Sequence, residues 1–458
     1  MNTPAREIDV GELLENRKLG RFHAVAFLLC FLILFVDGLD YSAANVGAPA
    51  ILRAFNADRA AMGTVLVCGY IGIFIGSVVF GIVGDRYGRR VGAILGVLAY
   101  SLPALLTPLA SSLDEVTVFR FLAGIGIGGV VPNTIALLTE TAPKRLRVSA
   151  VMAGFVGYSL GNATIGQVAA WFTPAFGWSI VFLVAGVAGT ILSFVLLLGL
   201  PESIPFLAAT KPDSPRLPAL VKRAAPELPL SSESRFVLRR PANETKFSLA
   251  LLFSGYRRYA TPLLWIAFFA ESLTYMTLSA WFAVILEAAG LAPTSAALVF
   301  SYSAIGGIFA ILILGRLIDR VGPKATVLSA VIAVSAIIYL GTPGLSPTLI
   351  TALAIGGLAC AAATHQSLNG IVGGFYPTII RGNAVGYATG AGRVAAIIGP
   401  GIVAGLFAAK LPLSEIVVFI AAPDLVVAAA CVALDRLQRS RLMIEDSALP
   451  VTPLKQPA

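Results

Sequence analysis

The chain has 458 residues, of which 57% are hydrophobic and only 12% are charged, and its formal net charge is +9. A water-soluble fold of this length does not tolerate such a composition on its surface, so the sequence predicts an integral membrane protein. Membrane topology accounts for the basic excess, which argues against nucleic-acid binding. All four cysteines fall within apolar segments, and the sequence suggests no disulfide framework, no metal site and no cofactor.

Apolar stretches long enough to cross a bilayer, about 20 residues each, follow one another along the chain. Each is a continuous apolar run rather than the alternating pattern of a barrel strand, so helices are predicted. The first is too long, and its flank too acidic, for a cleavable signal peptide. The twelve predicted spans are 24–47, 61–83, 91–111, 116–141, 148–172, 178–200, 261–286, 295–317, 324–343, 347–374, 383–409 and 414–435.

Lysine and arginine are concentrated on one side of these spans. If the N-terminus is cytoplasmic, the tails and the loops on that side hold 28 of the 33 basic residues, and the opposite side holds three. Cytoplasmic segments of membrane proteins carry such an excess, so both termini are predicted to be cytoplasmic.

Two acids lie near the middle of the first span, in the stretch FVDGLDYSA at residues 35–43. An ionisable group at the bilayer centre costs about 2.5 to 3.5 kcal/mol on insertion scales. Asp37 and Asp40 are three residues apart and share one helix face. A carboxyl that gains and loses an arginine partner can carry a proton, so both are predicted to couple to protons. The alternative is a structural hydrogen bond between helices.

The loop after the second span carries G-x-x-x-D-R-x-G-R-R at residues 81–90. We interpret it as a conformational latch in which glycines permit a close approach and a tight turn. Its aspartate would accept hydrogen bonds from a helix N-terminus, and its arginines would bind anionic headgroups. A plain basic loop explains neither the acid nor the glycine spacing. The latch residues predicted in this half are Gly81, Asp85, Arg86, Gly88, Arg90, Glu140 and Arg147.

The fourth span places a cation at the depth of these acids. Arg120 begins the stretch RFLAGIGIGG at 120–129, on the outer half of that span. Helices one and four run in opposite directions, so Asp40 and Arg120 are predicted to pair, for function or for structure alone. Glu140, at the inner end of the same span, is predicted to hold the neighbouring loops.

The second part of the sequence aligns with the first at an offset of 234 residues, which predicts two similar halves. This offset places Asp85 on Asp319, and FVDGLDY (35–41) on FAESLTY (269–275), so that Glu271 corresponds to Asp37 and joins the proton-coupling candidates. Secondary transporters use such duplicated units around a central site. The latch copy is predicted at Gly315, Asp319, Arg320, Lys324 and Arg381.

The chain is therefore divided into four parts. Residues 1–200 form an N-terminal six-helix bundle with a cytoplasmic tail, and 259–436 form a C-terminal six-helix bundle. Residues 201–258, rich in Pro, Ser, Lys and Arg, form a cytoplasmic linker, and 437–458 form a second cytoplasmic tail.

Polar groups in the second half complete the predicted site. Arg393 lies near the centre of the eleventh span, where a buried guanidinium suits an anionic substrate; pairing with Glu271 is the alternative. His365 and its polar neighbours in the tenth span contact substrate or protons, or make structural hydrogen bonds. Aromatic rings could stack on a flat ligand or only pack. The predicted substrate-binding residues are Asp40, Tyr41, Arg120, Tyr158, Trp281, His365, Gln366, Asn369 and Arg393.

The loop motif, the six-plus-six arrangement and the central linker resemble the major facilitator superfamily. The segments DGLD (37–40), RFLAGIGIGGVVPN (120–133) and FYPTIIRGNAVGYATGAGR (375–393) are similar, more narrowly, to the aromatic acid:proton symporter family. Glu271 and His365 stand where uncharged residues are expected in that family. The resemblance implies that functional positions of the family are Asp37, Asp40, Asp85, Arg86, Arg120, Glu140, Asp319, Arg320, Arg381 and Arg393.

The predicted fold is all-α, with twelve transmembrane helices in two pseudo-symmetric six-helix bundles. The resemblance implies import of a benzoate-type carboxylate with protons, by alternating access, across a bacterial inner membrane. The partners are then the small aromatic acid, protons and the lipid bilayer, and a monomer is expected because each chain contains both halves. A drug antiporter of the same superfamily is the first alternative, although residues 148–172 lack its Gly-Pro pair. A membrane enzyme or sensor is the second, and no catalytic motif supports it.

Overall fold

The computed structural model describes residues 7–15, 19–228, 235–238, 249–376 and 378–447. In this part of the chain, twelve helices are long and apolar enough to cross a membrane, which confirms the predicted spans. Helices one to twelve are Arg21–Ala54, Met62–Tyr87, Arg89–Leu106, Leu113–Thr141, Arg147–Phe176, Ile180–Gly199, Arg257–Ala288, Pro293–Val321, Thr326–Leu340, Pro347–Phe375, Thr378–Ala408 and, in two segments, Leu413–Ala421 with Pro423–Ser447.

Two differences from the predicted spans have simple causes. Helix one continues seven residues beyond its predicted end at 47, to Ala54, because the residues that follow are also largely apolar and remain helical. Helix twelve is interrupted at Ala422, where Pro423 removes an N–H donor and its ring crowds the preceding turn.

The two halves pack by the same scheme. In the first half, helix one lies against helix five and helix two against helix four; in the second, helix seven lies against helix eleven and helix eight against helix ten. The halves meet through the helix pairs one and seven, two and eleven, and five and eight. Adding six to a helix number, and counting on from one after twelve, converts the pair of helices two and eleven into the pair of helices eight and five. The same operation leaves helices one and seven paired with each other. A twofold relation between the halves requires this pattern. The fold class predicted from the sequence is therefore confirmed.

The segment between the halves folds against the N-terminal tail. Strand Glu7–Asp9 pairs in parallel with strand Arg235–Val237, and short helices span Ile204–Thr210 and Arg216–Ala224. Their apolar side chains share one small core with Phe22 of helix one. The two strands were not predicted, because three residues are too few to show an alternating pattern. We call this side of the molecule the linker face and the opposite side the far face.

Glycine forms the turn of the repeated loop motif in both halves. Gly88 and Gly322, which correspond under the offset, have φ angles of +120° and +93°, a backbone region that side chains with a Cβ rarely adopt. A Cβ added at Gly88 would also collide with the Glu202 carboxylate. By contrast, nothing lies within 4 Å of a Cβ added at Gly81 or Gly315. The close approach predicted at those two positions is therefore wrong, while the tight turn at Gly88 is present.

Replacing Gly88 by alanine tests this turn. Gly88→Ala is expected to lower the free energy of unfolding by roughly 1–3 kcal/mol, because the new side chain forces a strained backbone against Glu202. Gly81→Ala, in the same motif, should be neutral or slightly stabilising, since alanine is the better helix former. Apparent melting temperatures of the purified variants in detergent measure both. Equal melting temperatures would contradict the assignment.

Candidate functional site

The two acids of helix one are completely buried, so neither faces lipid. Gly38, between them, lies so close to the carbonyl of Tyr158 that a Cβ would collide with it. This approach of helices one and five encloses the acids within the first bundle. The Tyr100 hydroxyl of helix three interacts electrostatically with both carboxyls.

Asp40 and Arg120 form the ion pair expected at this depth. The Arg120 guanidinium lies 3.4 Å from Asp40 Oδ1, and a second nitrogen is 3.4 Å from Oδ2. The guanidinium also stacks over the Phe182 ring, with 4.8 Å from Cζ to the ring centroid. Arg120 is 5% exposed and Asp40 is 0% exposed, so the pair is shielded from solvent. A cavity of about 40 Å³ lies beside it, lined by Arg120, Tyr41 and Tyr70.

Asp37 contrasts with Asp40, since neither of its oxygens has a hydrogen-bond partner in the described chain. A buried carboxylate without partners is costly, and such a group neutralises instead. One helix face therefore presents one charge-compensated acid and one acid that is suited to carry a proton.

Tyrosines converge where helices one and seven meet. The hydroxyls of Tyr41 and Tyr70 are 3.1 Å apart, and the rings of Tyr41 and Tyr158 are 5.8 Å apart. Tyr275, the repeat counterpart of Tyr41, interacts with it electrostatically. Tyr41 also donates to Met276 Sδ at 3.2 Å, across the two halves. Tyr70 was missed from the sequence, because one tyrosine in an apolar span is not distinctive.

Trp281, another predicted stacking residue, lies apart from this cluster. It is completely buried, its Nε1 donates to the carbonyl of Pro400 at 3.2 Å, and its ring lies 5.1 Å from that of Phe407. These contacts belong to the interior of the second half. They favour the packing alternative for this residue.

Glu271 is paired with His365 rather than with Arg393. Its Oε2 is hydrogen-bonded to His365 Nδ1, and the imidazole stacks on Tyr275 with 5.0 Å between ring centroids. Arg393 instead donates to the Ser77 hydroxyl of helix two, in the other half. The pairing of Arg393 with Glu271, the alternative considered from the sequence, is therefore not found. Gln366 and Asn369 are half-buried and make no hydrogen bond within the described chain.

The first copy of the loop motif is closed by Arg89, which was not among the predicted latch residues. Arg89 donates to Asp85 and, at 3.4 Å, to Glu140. Asp85 thus accepts from an arginine side chain rather than from a helix N-terminus, which corrects the expectation. The Nε of Arg147 donates to the carbonyl of Ala142 at 3.4 Å. The guanidinium of Arg86 lies 5.6 Å from the Tyr87 ring.

Arg90 binds the protein rather than only headgroups. Its side chain donates to the carbonyl of Leu197 at 2.6 Å, and its backbone N–H donates to Glu202 at 3.0 Å. Burial raises the pKa of the Glu202 carboxyl above its ordinary value, although N–H donors from Arg90 and Ser203 favour the charged form. Glu202 therefore connects the loop to the segment that follows helix six.

The second copy of the motif lacks the side-chain contacts of the first copy among the described residues. Asp319, Arg320 and Lys324 are exposed and make no hydrogen bond or ion pair with other described residues. The side chain of Arg381 lies outside the described residues. The halves therefore share the turn of the motif but not its ion pairs.

Across the described residues, polar side-chain contacts between the halves lie at mid-height or toward the far face. Arg53 and Glu287, at the far ends of helices one and seven, form an ion pair of 2.6 Å. They are 234 residues apart, which is the repeat offset. Ser301 of helix eight donates to the carbonyl of Ala163 of helix five at 2.6 Å. Contacts between the halves are therefore present at the far face.

A profile of the Major Facilitator Superfamily matches residues 30–400 and 264–443. The chain belongs to this superfamily. It is 31% identical over 404 residues to the 4-hydroxybenzoate transporter PcaK of Pseudomonas putida, covering 87% of this chain and 89% of that one. It is 31% identical over 394 residues to the gallate transporter of Pseudomonas putida, covering 86% and 87%. It is 28% identical over 419 residues to the benzoate transport protein of Acinetobacter baylyi, covering 89% and 88%.

Solved structures share the fold. A bacterial homologue of the human lysosomal transporter Spinster aligns with a TM-score of 0.68 at 15% identity, covering 94% of this chain and all of that one. The xylose transporter XylE of E. coli aligns with a TM-score of 0.68 at 12% identity, covering 90% and 97%. The chain is therefore a multi-pass membrane transporter of the aromatic acid transporter family and not an enzyme, as the sequence predicted.

A double-mutant cycle tests the buried ion pair. Arg120→Met is expected to lower the free energy of unfolding by about 3–5 kcal/mol, because Asp40 is left buried without a cation. Adding Asp40→Asn should recover part of the loss, with a coupling energy of roughly 1–3 kcal/mol. Denaturant titration in mixed micelles measures all four proteins. Strictly additive effects would mean that the two groups do not stabilise each other.

Proposed function

We propose that this transporter imports an aromatic carboxylate together with protons, by alternating access, across a bacterial inner membrane. The relatives named as 4-hydroxybenzoate, gallate and benzoate transporters support the substrate class. The concentration of basic residues supports a cytoplasmic linker face, and hence cytoplasmic termini.

The observation that carries the proton coupling is the state of Asp37. It is completely buried, and no hydrogen bond in the described chain stabilises a charge on it. We infer that it is protonated in this conformation, because an isolated buried charge is too costly. Asp40 keeps its charge against Arg120, so the proton at Asp37 can be gained or lost without breaking that pair.

Arg393 is the group best suited to the substrate carboxylate. Its guanidinium is bonded to the Ser77 hydroxyl and has no acidic partner among the described residues. A guanidinium grips a carboxylate through two parallel hydrogen bonds. Since Arg393 and Ser77 belong to different halves, an anion bound between them would contact both. Binding would then influence how the halves move relative to each other.

The transport cycle follows from this charge balance. In a conformation open to the far face, a proton neutralises Asp37 and the substrate anion neutralises Arg393. Tyr41, Tyr158 and Tyr275 supply ring contacts to the aromatic part of the substrate. With these charges compensated, the halves can close around the site at lower desolvation cost. Opening of the linker face then releases both passengers to the cytoplasm.

Uptake into proteoliposomes tests this function. Labelled 4-hydroxybenzoate is expected to accumulate when the outside is more acidic than the lumen. Asp37→Asn should sharply lower concentrative uptake, because an amide carries no exchangeable acid proton. Asp58→Asn, which changes an exposed acid at the far face, should accumulate substrate like the unaltered protein.

Each other outcome of this experiment has a distinct meaning. Accumulation that requires an acidic lumen would indicate a proton antiporter. Undiminished accumulation by Asp37→Asn would remove this residue from proton coupling. An absence of pH-driven transport of any benzoate-type acid would overturn the proposal.

Alternating access predicts that the ion pair between Arg53 and Glu287 affects the transport rate. Arg53→Glu places two carboxylates together at the far face and should slow exchange, because closure of this face becomes unfavourable. The exchanged pair, Arg53→Glu with Glu287→Arg, should restore the rate at least in part. Substrate exchange between lumen and medium at equal pH measures this. Failure of the exchanged pair to recover any activity would argue against a gate at this contact.

A further inference from the structure

Helix twelve contains a buried acid that has no assigned role. Asp424 is 0% exposed and follows Pro423 at the start of the second segment of the helix. It lies 11 residues into the span Leu413–Ser440, roughly 16 Å along the helix axis. That position is near the middle of the membrane, where an acid is costly and is functional by default.

No cation among the described residues forms an ion pair with Asp424. Helix seven packs against this segment, and Asp424 faces Thr274 and Glu271 there. Neither oxygen of Asp424 makes a hydrogen bond of normal geometry in the described chain, and the same holds for Glu271 Oε1 and Thr274 Oγ1. Asp424, Glu271 and Thr274 therefore each have unused hydrogen-bonding capacity, on two helices that pack against each other.

Charges on the other elements packed against helix twelve are distant or absent. Helix nine and the first segment of helix twelve contribute no buried acid or base, and Cys431 is the titratable neighbour on the same helix. The turn before helix nine carries Lys324, which is exposed at the linker face. Asp435 and Arg439 pair with each other further along helix twelve. Among the described residues, His365 is the base that contacts this group of acids, through its bond to Glu271.

Two carboxyls and one imidazole cannot all be charged in this place. The imidazolium compensates Glu271, and a second negative charge at Asp424 would have no counter-ion. We propose that Asp424 is a further proton-binding group of the transport cycle, connected through Thr274 and Glu271 to His365. The imidazole is 16% exposed, whereas both carboxyls are fully enclosed. His365 is therefore the group through which protons enter and leave.

Protons and charges are conserved when the proton is released. Before release, Asp424 is neutral, Glu271 is negative and His365 is positive. The O–H bond of Asp424 breaks as the Thr274 hydroxyl accepts this proton and passes its own to Glu271. His365 gives one proton to water at its free nitrogen. The three groups together lose one proton and one unit of positive charge, and Asp424 holds the remaining negative charge.

This inference rests on the proposed symport and adds to it a proton carried by the second half. One proton fewer per substrate lowers the limiting accumulation ratio about tenfold for each pH unit of gradient. Proteoliposomes held at zero membrane potential and loaded with the full chain measure this ratio for labelled 4-hydroxybenzoate. Asp424→Asn is expected to accumulate about tenfold less at a gradient of one unit, while exchange at equal pH is retained. Glu415→Gln, at an exposed acid of the same helix, should match the unaltered protein.

A conservative variant separates proton binding from structure. Asp424→Glu keeps the acid and should restore part of the accumulation. If Asp424→Asn and the unaltered protein reach the same ratio, the inference fails while the proposed symport stands. If Asp424→Asn also loses exchange and Asp424→Glu does not restore it, Asp424 is structural and the inference is overturned. If the unaltered protein shows no pH-driven accumulation, the proposed function itself fails.

Discussion

The free-energy cost of an uncompensated charge at membrane depth controls this structure. Asp40 is neutralised by Arg120 at 3.4 Å, and Glu271 by His365. Asp37 and Asp424 have no such partner in the described chain. Lipid offers no counter-ion, so helix packing must supply one or a proton must bind. In the proposed transport cycle, protonation and anion binding meet this requirement and thereby decide which conformations are accessible.

The two halves meet this requirement differently. The offset places Glu271 on Asp37, whereas the acid that is paired in the first half is Asp40. Helix four provides the cation in the first half, whereas helix ten provides an imidazole in the second. Arginine remains charged at all physiological pH values, while histidine titrates within them. The first half therefore has a permanent pair next to a single protonatable acid. In the second half, the partner of the acid is a histidine. The repeat therefore preserves a buried acid on the first helix of each half but not the partner of that acid.

The sequence was sufficient to predict features that depend only on the order of residues along the chain. Continuous apolar runs fix the number of helices, and the repeat of the loop motif reveals two halves. Asp37, Asp40 and Glu271 are visible because each interrupts such a run. Arg120 could be matched to Asp40 because helix direction sets the depth of both residues.

Partners across separate helices were not predictable in the same way. Ser77 and Arg393 are 316 residues apart and lie in different halves, and Glu271 and His365 are 94 residues apart. Rotation of each helix about its axis decides such contacts, and a weak hydrophobic periodicity does not determine that rotation when a helix is apolar on all sides. Asp424 was overlooked for a related reason, since its significance depends on facing Thr274 and Glu271 of another helix.

A residue that lies near a twofold axis contacts its own counterpart in the other half. This limits which residue types can form the contact at the far face. Arg53 and Glu287 are equivalent under the offset and bind each other directly. Two identical charged residues at such a position would repel, so attraction requires the halves to differ there. Arg53 is 52% exposed, and an exposed pair of this kind contributes only about 0–1 kcal/mol. A contact of that strength holds the two halves together at the far face only weakly, so little free energy is lost when the pair separates.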